Sequence, residues 1–120
     1  MLPVAPAQVA PTGGGPIAVL ATFLVATLFY AATMHLAAVF FLGDTAKRAA
    51  VAVGVAVAAA SLLLQRWGAV VVLPMSLGVD AAAIWLVYDR SVGETAALTV
   101  LHFAFAVLLG LALANLVQLL

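Results

Sequence analysis

From Ile17 to Leu42 the chain runs without a single Asp, Glu, Lys or Arg. At ~1.5 Å per residue a helix of that length exceeds the roughly 30 Å hydrocarbon core of a bilayer. A second run, Ala69 to Tyr88, is as apolar but holds Asp80 in its interior. Such runs leave the fold little choice, because every backbone polar group in lipid must be satisfied internally, and a helix does that within one segment. Of the 120 residues 68% are hydrophobic and 7% charged, whereas soluble domains carry about 25% charged residues. That is too little polar surface to face water all round. The expectation is an all-α integral membrane protein, a four-helix transmembrane bundle with a disordered N-terminal tail.

Residues 1–16 read as the tail, a flexible segment whose four prolines and Gly13-Gly14-Gly15 run neither hold a helix nor build a core. It lacks the positive n-region of a signal peptide, so the tail is expected to remain. Residues 17–120 form one transmembrane domain, with helices expected near 17–42, 49–66, 68–88 and 95–119. Gly43 stops the first, and Asp44 or Thr45 is the expected cap of the second. Lys47, Arg48 and Arg66 bracket that short second span and can snorkel to extend it. Its Ala50, Gly54 and Ala58 recur every four residues, as do Ala106, Gly110 and Ala114 in the fourth helix. This spacing lets helix backbones approach closely in lipid, so both triplets are expected packing seams. Pro74 removes a backbone bond inside the third helix and is expected to kink it near Val70.

Gly43-Asp44-Thr45-Ala46 is echoed by Gly93-Glu94-Thr95-Ala96. A glycine stop, an acid and a threonine cap are what two unrelated helix turns would both select, so the echo argues for similar turns rather than a duplicated hairpin. Lys47, Arg48 and Arg90 lie on one side against Arg66 on the other. By the positive-inside rule the loops carrying them face the cytoplasm of a multi-pass cell-membrane protein, and both termini lie outside.

Composition also excludes function classes. Net charge is zero and no basic run is present, so nucleic acid is not a partner. With no cysteine there is no disulfide, thiolate metal site or thiol nucleophile. No phosphate-cradling loop, HExxH, GxSxG or paired-carboxylate motif occurs. The expected partners are the lipid bilayer and a homo-oligomer or larger membrane complex, with no cofactor.

The runs GGGPIAVLATFLVATLFYAATMHLAAVFFLGD, LLQRWGAVVVLP and HFAFAVLLGLALANLVQLL resemble a family of small haloarchaeal integral membrane proteins of unknown function. The resemblance covers nearly the whole chain after the tail. It implies a four-span protein from an extreme halophile and supplies no activity, cofactor or catalytic residue.

The candidate chemistry is polar residues in apolar spans. A carboxylate near a helix midpoint costs roughly 2.5 to 3.5 kcal/mol on insertion scales, so Asp80 should face protein or water and have a partner. His35 and His102 each need a partner too, since an imidazole cannot satisfy both ring nitrogens from its own helix. Counted from the adjacent loops on one side, His35, Asp80 and His102 stand at one depth. Ser76 lies one turn before Asp80 on its face. These four residues form the candidate buried polar cluster. The bland reading is a hydrogen-bonded network fixing helix register; the sharp one is a proton relay, or a zinc or iron site of two histidines and a carboxylate. A haem held between His35 and His102 has the right ligand type but no other support. An intramembrane hydrolase using Ser61 or Ser76 with His102 rests on residue types that coincide often by chance, so no catalytic residue is assigned. The function most consistent with the sequence is a structural or interaction component of a membrane assembly. The alternative is a proton or cation transport or sensing module built on His35, Asp80 and His102.

Overall fold

The computed structural model describes residues 15–120. The flexible tail expected over residues 1–16 lies outside the described residues except for Gly15 and Pro16. Those two belong to the first helix, Gly15 as its N-cap and Pro16 in its first turn. Proline suits that position, where no intrahelical partner exists for an N–H and φ is already set.

Four helices follow in order: α1 (Pro16–Leu42), α2 (Lys47–Leu64), α3 (Ala69–Tyr88) and α4 (Val92–Leu119). All four are long and apolar enough to cross a membrane, α2 when taken together with the 3₁₀ turn that extends it to Trp67. α1 stops at Gly43, whose φ of 89° suits glycine and whose N–H donates to the Val39 carbonyl at 2.9 Å. The N-cap of α2 is Ala46, without a side-chain hydrogen bond. The cap expected from Asp44 or Thr45 is therefore not made, and the basic residues Lys47 and Arg48 fall inside the helix. A 3₁₀ turn, Gln65–Trp67, and Gly68 at φ 84° reverse the chain into α3. Pro74 is accommodated inside α3, leaving the Val70 carbonyl without its usual donor.

α4 starts three residues before the expected position. Glu94 N–H donates to Ser91 Oγ at 3.2 Å, and the Ser91 N–H reaches back to Glu94 Oε1 at 3.4 Å. This capping box satisfies two terminal donors reciprocally. It also separates the two sequence echoes: Gly93 to Ala96 are helical, whereas Gly43 to Ala46 are loop.

Each helix packs against its neighbours in sequence, and α4 closes back on α1, so α1 and α3 stand diagonally opposite, as do α2 and α4. The closest pairing is α1 with α2. A Cβ placed on Gly54 would meet Ala31 N at 2.8 Å and the Thr27 carbonyl oxygen at 2.9 Å. The backbones touch there, and Ala50 and Ala58 continue the buried line. The apolar core is built from Met34, Ala38, Val53, Ile84 and Leu98 among others. It lies toward the end carrying the α1–α2 and α3–α4 loops.

The expected seam on α4 is different. Ala106 and Gly110 are half-buried and Ala114 is exposed, and a Cβ on Gly110 would meet only Phe29 Cζ at 3.9 Å. Small residues at a spacing of four mark a helix face, but what stands opposite decides whether that face is a contact. Opposite Ala106 and Gly110 is a cavity. Ala114 lies about where the shorter α2–α3 hairpin ends: at ~1.5 Å per residue α1 and α4 are about 40 Å long and α3 about 30 Å.

Candidate functional site

Asp80 projects inward from the middle of α3 and His102 from α4, 4% and 2% exposed respectively. His102 Nδ1 lies 2.7 Å from Asp80 Oδ1 and 2.8 Å from Oδ2. Its Nε2 lies 2.9 Å from Thr33 Oγ1 and 3.1 Å from the Tyr30 carbonyl oxygen, both on α1. The Thr33 hydroxyl stands 3.1 Å from both the Phe29 and the Tyr30 carbonyl oxygens. The Tyr30 ring meets the imidazole edge to face at 6.3 Å. One histidine on α4 thus links α3 to its diagonal helix, α1.

Hydrogen-bond chemistry assigns the protons. The Tyr30 carbonyl only accepts, and Thr33 spends its hydrogen on a helix carbonyl, so Nε2 carries a hydrogen and donates. On the other side the ring nitrogen and a carboxylate oxygen are too close for two bare acceptors, so one further hydrogen lies between them. With two protons shared by one carboxylate and one imidazole, the dyad is neutral as a unit.

Of the four residues in the sequence-derived cluster, the structure brings Asp80 and His102 into contact. His35 bonds to neither. It is half-buried, and its Nδ1 is buried without a hydrogen-bond partner. The reason is angular: at 3.6 residues per turn His35 is rotated about 200° from Thr33, the residue that faces His102. Equal depth placed three groups at one level without placing them on facing sides. Ser76 lines the same cavity as Asp80, but its Oγ sits 3.4 Å from Ser61 Oγ of α2. Neither serine is bonded to His102 among the described hydrogen bonds.

The donor sets that the metal readings call for do not come together among the described residues. No group of three or more His, Cys, Asp or Glu side chains converges among the described residues. Both ring nitrogens of His102 are spent inside the protein, leaving none for an iron or zinc. Thr33 was missed as a site residue because a helical threonine can be satisfied by its own backbone, which it is. The available signal was its position three residues after Tyr30 at the depth of the dyad.

A cavity of about 280 Å³ reaches the dyad from between α3 and α4. Its walls are apolar, Phe29 and Phe103 among them, and Asp80, Ser76 and His102 supply the polar lining. Leu73, Leu77, Phe103 and Val107 around it are each 41% or more exposed, so it opens on the outer face of the bundle.

Residues 13–120 match a described family of unknown function, DUF7473. The chain belongs to that family. No curated protein and no solved structure matches it. The DUF7473 match spans all four helices, so the dyad and its cavity both lie within the region that defines the family.

Proposed function

We propose that this DUF7473 chain is an integral membrane protein of haloarchaeal type that serves as a structural component of a larger membrane assembly. The observation carrying this reading is the mismatch between its helices. α1 and α4 outreach α3 by about 10 Å at ~1.5 Å per residue, and their extra turns are apolar and exposed. Ile17, Leu20, Val117 and Leu119 are each 58% or more exposed. Beyond a hydrocarbon core of about 30 Å, such turns need tilt, a thicker bilayer or a protein neighbour. The dyad fits the same reading, because a closed hydrogen-bonded circuit across three helices fixes their register.

Weighing against a proton relay, His35 stands apart from the dyad and both nitrogens of His102 are held by fixed acceptors. A photo-crosslinking residue at Leu20 or Val117, compared with one at Val51, tests the assembly. In native membranes the first two should yield one discrete higher-mass product identifiable by mass spectrometry. Crosslinks to lipid alone at all three positions would overturn the reading.

A further inference from the structure

We infer that the cavity between α3 and α4 is a binding site for a small apolar molecule bearing one hydroxyl group, which enters sideways and donates its hydrogen bond to Asp80. This goes beyond the assembly role and does not depend on it, resting only on the membrane embedding that is part of the same reading.

The size argument comes first. An apolar protein cavity of ~150 Å³ accepts benzene, so about 280 Å³ holds a ring with a substituent or a short branched chain. The space is made by small residues. Ser76 on α3 and Ala106 and Gly110 on α4 line it, and no atom of another helix stands closer than 3.9 Å to a Cβ built on Gly110. Phe29 and Phe103 supply aromatic walls suited to a flat or branched apolar body.

The functional group follows from donors and acceptors. His102 offers a ligand no hydrogen, since Nε2 donates to α1 and the hydrogen at Nδ1 is shared with Asp80. Each carboxylate oxygen keeps a second lone pair, so the dyad presents acceptor capacity and no free donor. A hydrocarbon tail alone leaves that capacity unused. An ammonium group would add a net charge to a neutral dyad within low-dielectric walls, which is costly. A hydroxyl supplies the donor without charge. The exposed rim of Leu73, Leu77, Phe103 and Val107 sets the route, from the apolar phase around the bundle.

The probes are para-(trifluoromethyl)benzyl alcohol and its hydroxyl-free analogue para-(trifluoromethyl)toluene, followed by fluorine NMR with the protein in nanodiscs and empty nanodiscs as the partition control. The alcohol should bind saturably above the control and about tenfold more tightly than the analogue, the worth of one hydrogen bond. Gly110→Leu, which projects into the cavity, should weaken alcohol binding at least tenfold while the helical circular dichroism is kept. Ala106→Leu serves the same purpose if Gly110→Leu does not fold. Equal binding of alcohol and analogue would overturn the hydroxyl assignment. Binding no greater than in empty nanodiscs, or undiminished in a folded cavity-filling variant, would overturn the site.

Discussion

Gly54 and Gly110 carry the same small-residue signal in the sequence, yet the fold gives them opposite tolerances. A side chain on Gly54 collides with backbone atoms of α1 at 2.8 and 2.9 Å, and backbone cannot rotate away. Gly54→Leu should therefore lower thermal stability in detergent by more than the ~1–3 kcal/mol usual for overpacking, because two helices must separate. Gly110→Leu should be neutral or stabilising, since its side chain enters open volume. Equal losses for the two variants would contradict the placement of the cavity. The dyad permits a similar contrast. Asp80→Leu leaves an imidazole buried without its partner and should cost about 3–5 kcal/mol, whereas Asp80→Leu with His102→Phe should recover most of that. A double-mutant cycle in chemical denaturation reads the difference; additive losses would mean that the pair is not coupled. That Asp80 must have a partner was legible from its burial in an apolar run. Which histidine would provide it was not, because depth along a helix follows from counting residues while the facing side depends on how four helices are rotated against one another.

At the level of elements, the sequence marked where apolar runs stop more clearly than where helices begin. The run from Ile17 to Leu42 leaves no alternative to one long helix, and Gly43 ends it at a backbone angle that favours glycine. The start of α4 was harder to see. Val92 and Gly93 sit in a polar stretch that reads as loop, and the helix begins there because Ser91 and Glu94 cap each other, a signal carried by two residues rather than by periodicity. Ser91→Ala should cost about 1 kcal/mol and fray the first turn of α4, detectable as faster amide exchange at Glu94 and Thr95, whose N–H groups donate to Ser91. Unchanged exchange would show that packing of Thr95 and Leu98 alone holds the turn. For α2 the reverse occurred: two plausible capping residues precede it and neither is used. The position of that helix is set by its close packing on α1, which outweighs a local cap.

For the whole molecule, an even number of antiparallel helices returns the chain to the face it left. Reporter domains fused after Thr12 and after Leu120 should occupy the same compartment, and opposite compartments would contradict the proposed four spans. The circular order of packing has a further consequence during synthesis. The tight backbone contact of α1 with α2 needs nothing beyond those two helices, whereas in the proposed membrane setting α3 brings Asp80 into the apolar phase before the residue that satisfies it has been made. His102 emerges 22 residues later. Until then the growing protein holds an acid without the imidazole that satisfies it in the finished fold, and α3 lacks its link through His102 to α1. A version ending at Arg90 should therefore be degraded rapidly in cells while its Asp80→Leu counterpart persists, a difference visible in a pulse-chase. That outcome would make α4 a checkpoint in the biosynthesis, since one side chain that it supplies completes the circuit begun on α3.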